Sequence, residues 1–190
     1  DIEKKEIRCV GNPRERFGED ALRILRAVRF SAQLGFHIEE GTMEAIKELA
    51  GTLENISAER IHVELEKLIM SNHPDKLITA YEAGITKVVL PEFDAMMECE
   101  QNTPYHMYNV GEHTIKVMEN VSADKLMRWT ALFHDVAKPL VKTTDANGRN
   151  HFKGHALEGS RLAPQIMRRL KMDNKTIKTA SRLIECHDDR

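Results

Sequence analysis

No apolar run in the 190 residues is long enough to span a bilayer, and the start carries no secretory leader pattern. Cysteine is scarce. Cys9, Cys99 and Cys186 are odd in number, far apart and without CxxC spacing. This argues against a disulfide framework and for reduced thiols in a cytoplasm. Internal repeats and low-complexity segments are missing. An excess of positive charge is missing too: 28 Lys and Arg against 30 Asp and Glu give a net charge of −2. A uniformly basic nucleic-acid binder is therefore disfavoured. There is also no initiator methionine, and the opening "DIEKKEIR" reads as the middle of a longer chain.

What is present suits a folded protein. Hydrophobic residues make up 41% and charged residues 31%, enough to build a core in one large domain or two small ones. The charge is unevenly spread. Residues 14–29 hold Arg14, Arg16, Arg23, Arg26 and Arg29, and residues 161–178 carry six Lys or Arg against one acid, Asp173. Each stripe taken alone is a solvated helix face or a surface for phosphates.

The apolar periodicity is helical nearly throughout. A helix is expected from Glu19 to Leu34, with Leu22, Leu25, Val28 and Ala32 on one face and Gly35 as its stop. "GTMEAIKELA" gives a second. "SAERIHVELEKLIM" gives a third, with Ser57 as N-cap, and "PDKLITAYEAG" a fourth. A turn region with Pro91 and Pro104 marks the best boundary, so two parts are expected, residues 1–100 and 101–190. Beyond it, "NVGEHTIKVMENV" has a Val110, Thr114, Val117, Val121 stripe. "ADKLMRWTALFHDVAK" is expected to run from an N-cap at Ser122 to Pro139. Residues 140–153 suit a loop or a hairpin around Asn147-Gly148, and two helices complete the chain. The fold class is all-α, in two subdomains.

One apolar stretch, "TALFHDVAKP", sets His134 and Asp135 side by side. His113 faces the apolar side of its helix, His187 continues the Ile177, Ala180, Ile184 stripe, and His155 opens a helix after Gly154. A single inward histidine is most often a satisfied core residue. Four elements each bringing one inward favour a metal. Nitrogen and carboxylate donors without thiolate suit Mn²⁺, Fe²⁺, Co²⁺, Ni²⁺ or Zn²⁺, or Mg²⁺ where carboxylates and water dominate.

In order, "EHTIKVM", "LFHDVAKP", "FKGHALEGSRLA" and "ECHD" resemble the HD superfamily of metal-dependent phosphohydrolases over roughly residues 105–190. The resemblance implies His113, His134 and Asp135 as metal ligands, His155 and His187 as further ligands of an extended site, and Asp135 and Lys138 as catalytic residues, with Lys138 beside a substrate phosphate. Family members often have Gly at the place of Ala137. Their last carboxylate ligand corresponds here to Asp188, to Asp189, or to a residue beyond Arg190.

In the first half, Asp20 and Arg23 stand at i,i+3 and Glu19 and Arg23 at i,i+4, which would put them on one helix face. A carboxylate accepts from an exocyclic amino group, and a guanidinium donates to the adjacent ring nitrogen. Cytosine and adenine present that pattern, whereas guanine and uracil present a carbonyl and an N–H. The context "VGNPRERFGEDALRILRAVRFSAQLGF", followed by "ISAERIHVELEKLI", closely resembles CCA-adding tRNA nucleotidyltransferases and the related poly(A) polymerases of class II. This resemblance covers residues 1 to about 100. It implies that Asp20 and Arg23 form a protein template for the incoming nucleotide, that Arg60 and Glu64 buttress the template helix, and that tRNA, or another RNA 3′ end, is the partner. The Gly-Ser and DxD motifs of that family's catalytic head do not occur here, so the chain is expected to be the neck, body and HD portion of such an enzyme. A stand-alone HD phosphohydrolase acting on nucleotides and a non-catalytic RNA-binding module are the competing readings.

Overall fold

A computed structural model describes residues 2–102 and 108–188. The described residues are mainly helical with only short strands, and the chain divides by its contacts into two compact units, Asp1–Pro91 and Glu92–Arg190. Each is described by itself. Pro104, the second proline of the expected boundary, lies outside the described residues. No described helix is long and apolar enough to cross a membrane. Cys9, Cys99 and Cys186 are free.

The first unit contains β1 (Glu6–Ile7), α1 (Pro13–Glu19), α2 (Leu22–Leu34), β2 (His37–Ile38) and α3 (Glu40–Leu49). A 3₁₀ segment, Ala50–Asn55, then leads to α4 (Ala58–Ile69), α5 (Lys76–Glu82) and α6 (Thr86–Val89). α2 is its axis. Leu22, Ile24, Leu25, Val28 and Ala32 are buried against α4 and α5, where Leu65, Leu68, Ile69, Leu77 and Ala80 meet them. Each large aliphatic side chain so buried contributes about 1.5–3 kcal/mol. β1 and β2 form a short parallel pair with Ile7 opposite Ile38. α2 stops where expected: Gly35 is left-handed at φ 69°, and its N–H donates to the Ser31 carbonyl. Ser57 caps α4 by accepting from the Arg60 N–H.

The single helix expected from Glu19 to Leu34 is instead two. Asp20 is extended (φ −151°, ψ 105°), and its Oδ1 accepts the Leu22 N–H at 3.0 Å. An aspartate that bonds its own downstream backbone competes with helix continuation, so the chain breaks at Asp20 and restarts.

In the second unit, α7 (Pro91–Met97) starts on the last residue of the first unit. It is followed by α8 (Val110–Asn120), α9 (Lys125–Phe133), α10 (Lys138–Val141), the hairpin β3 (Thr143–Thr144) and β4 (Asn150–His151), α11 (His155–Arg169) and α12 (Asn174–Cys186). α8 begins in a capping box formed by Asn109 and Glu112. α9 is capped by Asp124 rather than Ser122: Asp124 accepts the Met127 N–H, and the Ser122 hydroxyl only braces that carboxylate. α9, α11 and α12 enclose the core around Trp129, Phe133, Ala163, Met167 and Ile184.

α9 also ends early. Helical bonding stops at Phe133, and residues 134–137 tighten into i to i+3 turns, with Val136 N–H donating to Phe133 and Lys138 N–H to Asp135. Pro139 has no N–H to return to the Asp135 carbonyl and disfavours helical backbone before it. The expectation of a helix running to Pro139 is therefore corrected: His134 and Asp135 sit in a tight turn past the helix end.

Candidate metal centre

That turn explains how adjacent residues converge. In a regular helix neighbouring side chains diverge by about 100°. Here His134 Nε2 lies 3.1 Å from Asp135 Oδ2. The Asp135 side chain is only 3% exposed and is the hub of the site. His113 Nε2 approaches Oδ2 at 3.5 Å, while His155 Nε2 and His187 Nε2 approach Oδ1 at 3.3 and 3.4 Å. The five residues form two donor trios, His113 with His134 and Asp135, and Asp135 with His155 and His187, one on each carboxylate oxygen.

Three imidazoles are oriented in the same way. His134 Nδ1 bonds the Ala131 carbonyl at 2.6 Å, His155 Nδ1 the Phe152 carbonyl at 2.8 Å, and His187 Nδ1 the Ile184 carbonyl at 2.5 Å. A carbonyl can only accept, so each Nδ1 must carry the proton. In the neutral ring Nε2 is then a lone pair aimed at the carboxylate. His155 Nε2 and His187 Nε2 also face each other at 3.2 Å. Lone pairs pointed at an anion and at one another repel unless protons or a cation lie between them. Backbone carbonyls holding Nδ1–H are the usual outer support of metal-binding histidines. Ligands about 2.1 Å from one ion stand about 3.0–3.4 Å apart. The separations within Asp135, His155 and His187 are 3.2–3.4 Å, so the donor set fits a divalent ion.

Burial would push the Asp135 carboxyl up, but the imidazoles of His134, His155 and His187, when they also carry a proton on Nε2, hold it well below the usual carboxylate range. The His187 imidazole is raised by its bond to Asp135, against the effect of burial. Asp188 Oδ2 stands 3.7 Å from His155 Nε2 with its side chain 62% exposed. Asp189 lies outside the described residues. Ala137 adopts φ −88°, a conformation that needs no glycine.

Lys138 is buried beside the hub. Its Nζ is 3.1 Å from Asp135 Oδ2, donates to Gln101 Oε1 at 2.8 Å, and lies 5.1 Å from the Phe152 ring centroid. It lines a cleft of about 480 Å³ together with His151, Lys153, His155 and Asp188. Nothing in the sequence singled out Gln101 or Phe152, because a lone glutamine and a lone phenylalanine carry no spacing signal.

In the first unit, the residues expected to read a base are placed differently from the single helix face anticipated. Asp20 stands at the break between α1 and α2, and its Oδ2 meets Arg60 Nη2 at 3.0 Å. Arg23 pairs with Glu19 at 2.7 Å and donates to the Arg16 carbonyl. Glu64 is 2% exposed and holds two guanidiniums of α2, Arg26 at 3.1 Å and Arg29 at 2.8 Å. Arg26 and Arg29 belong to the stripe seen in sequence, but their bond to Glu64 was not anticipated. Burial raises the Asp20 carboxyl, yet the Leu22 N–H and Arg60 bring it below its ordinary value.

Comparison with known proteins finds two family matches along the chain. Residues 35–97 match the family model described as "Probable RNA and SrmB-binding site of polymerase A", and residues 103–190 match the HD domain. An A-adding tRNA nucleotidyltransferase of Deinococcus radiodurans is 33% identical over 98% of this chain and 45% of its own length. A multifunctional CCA protein of Neisseria gonorrhoeae is 34% identical over 90% of this chain and 43% of its own. The crystal structure of a Bacillus stearothermophilus CCA-adding enzyme in complex with CTP aligns over the whole chain at TM-score 0.61 and 26% identity, using 40% of that protein. The fold and the Asp135 centre define a helical protein with an HD domain. The chain is similar over nearly its whole length to tRNA nucleotidyltransferases, carries matches to the polymerase A RNA-binding region and to the HD domain, and spans somewhat less than half the length of these curated relatives.

Proposed function

We propose that this chain is the neck, body and HD portion of a tRNA nucleotidyltransferase, with residues 1–100 serving nucleotide and RNA and residues 101–190 forming a metal-dependent phosphoesterase. One observation carries the second half of this reading: two donor trios share the Asp135 carboxylate, and three of their histidines have Nδ1 locked onto backbone carbonyls. His113, His134 and Asp135 would hold one divalent ion, and Asp135, His155 and His187 a second. A divalent ion there supplies Lewis acidity, drawing charge from phosphoryl oxygens and lowering the pKa of water. Lys138 faces the cleft with a buried positive charge, suited to a phosphate oxygen of the substrate. In the hydrolysis a water oxygen bonds to phosphorus, the ester P–O bond breaks, and the leaving oxygen takes up a proton.

For the first half, Asp20 and Arg23 would read the cytosine or adenine edge. Their observed partners, Arg60 and Glu19, would hold them in place, with Glu64 fixing α2 behind them. The relatives named for A-adding and CCA activity support the tRNA 3′ end as the site of action.

The test is chelator-sensitive hydrolysis. Purified chain loaded with Mn²⁺, Ni²⁺, Co²⁺ or Mg²⁺ is assayed on 2′,3′-cyclic AMP, on RNA ending in a phosphate and on free nucleotides. Turnover abolished by EDTA and by Asp135→Asn is expected. Turnover indifferent to both, or none with any of these metals, would overturn the phosphoesterase reading.

A further inference from the structure

We propose that the groove between α11 and α12 is a second RNA-binding site, which takes the phosphodiester backbone of tRNA away from the Asp135 centre. The inference rests on the reading of this chain as part of a tRNA-handling enzyme and adds a surface that reading does not use.

The groove, about 430 Å³, has Pro164 and Ile177 in its floor and Arg168, Lys178 and Arg182 on its walls. Its rigidity comes from an exchange of hydrogen bonds. Pro164 lies inside α11 and has no N–H to give the Ser160 carbonyl one turn earlier. The Ser181 hydroxyl of α12, another groove residue, donates to that carbonyl at 2.7 Å instead. The two helices are thus tied at the point where the groove opens.

The arginines of α11 sort by position. Arg161 and Arg169, on the same helix but outside the groove, are neutralised: Arg161 by Glu158 at 3.2 Å, and Arg169 by Glu92 through two bonds at 2.6 and 2.8 Å. Among the described residues, Arg168, Lys178 and Arg182 have no carboxylate partner and are exposed. Lys178 and Arg182 stand at i,i+4, where like charges destabilise a helix. A third cation from α11 faces the same space. Three unneutralised cations around one concave surface are a cost to the free chain that a polyanion removes. The lining offers no aromatic ring to stack a base, so it suits phosphates and ribose rather than base edges.

The experiment is fluorescence anisotropy of the whole chain with labelled tRNA from 50 to 250 mM KCl. Arg168→Gln/Lys178→Gln/Arg182→Gln is compared with a charge-matched control, Lys116→Gln/Lys125→Gln/Arg161→Gln, at residues that already have partners in the structure. The groove variant is expected to bind at least 10-fold more weakly at 100 mM, with the log–log salt slope reduced by about 2–3, as loss of three phosphate contacts requires. The control should change less than 2-fold. An unchanged far-UV circular dichroism spectrum and melting temperature show that the fold is kept. Equal losses in both variants would overturn the groove site and leave the tRNA reading standing. Failure of the unaltered chain to bind tRNA at 50 mM would overturn both. Polyglutamate binding more tightly than tRNA in a groove-dependent way would assign the site to an acidic protein and overturn the RNA proposal.

Discussion

Replacing Glu64 by alanine tests whether α2 is held by a buried carboxylate. Glu64 has a side chain 3% exposed and bonds Arg26 Nε at 3.1 Å and Arg29 Nε at 2.8 Å. Breaking a buried pair by removing one partner costs about 3–5 kcal/mol, because a charge is left without compensation. The two arginines differ here. Arg26 is 42% exposed and can turn into water, so its share is screened; Arg29 is 12% exposed and cannot fully do so. The expected loss is therefore about 2–3 kcal/mol, which for a unit of this size lowers the melting temperature by about 10–20 °C. Glu64→Gln keeps an acceptor for one guanidinium and should lose about half as much. Urea unfolding followed by far-UV circular dichroism at pH 7 measures both variants. Raising the salt to 0.5 M should leave the difference nearly intact, since a pair this buried is poorly screened. A loss below about 0.5 kcal/mol for Glu64→Ala would refute the reasoning and reduce the clamp to a surface ion pair.

Two further outcomes are expected. A Cβ added at Gly111 would clash with Met97 Sδ and stand 3.1 Å from Met97 Cα, so Gly111→Ala should cost about 1–3 kcal/mol by forcing α8 from α7; a variant as stable as the parent would show that α7 yields freely. At Glu92, burial raises the carboxyl but the Arg169 guanidinium brings it below its ordinary value, so the pair stabilises above that value and the stabilisation fades as pH falls through the lowered one. The stability gap between the parent chain and Glu92→Gln should therefore be full at neutral pH and close as the pH falls below the ordinary glutamate range, and a gap independent of pH would contradict the assignment.

Much of the helical framework was legible because its signals are local. Ser57 and Gly35 mark helix ends by their own hydrogen bonds or backbone conformation, and the Asn147-Gly148 turn sits in a hairpin with Gly148 at φ 78°. The hairpin's organiser, however, is Asp145, which accepts the Asn147 and Arg149 N–H groups and pairs with His151. The differences arose where a side chain works against the helix, by bonding the backbone or by removing its N–H. Asp20 breaks one helix by bonding Leu22, and the turn before Pro139 ends another at Phe133. The inward stripe of α8 also shifted, to Val110, Gly111, Thr114, Ile115 and Met118, leaving His113 on its flank with 27% of its side chain exposed. The side chains that converge on the Asp135 carboxylate could be named as candidates from histidine placement and motif order. The geometry joining them could not: no spacing reveals that three Nδ1 atoms find backbone carbonyls, that Lys138 rests on Gln101, or that Glu64 holds two arginines of α2.

The central claim is that Asp135 is the hub of a divalent-metal site. The most direct measurement is the metal retained after the chain is loaded with Mn²⁺, Ni²⁺, Co²⁺, Fe²⁺, Zn²⁺ or Mg²⁺, desalted and analysed by mass spectrometry, for the parent and for Asp135→Asn. One to two equivalents of at least one ion in the parent, and near none in the variant, is the predicted result. No ion retained by the parent, or equal retention by Asp135→Asn, would contradict it.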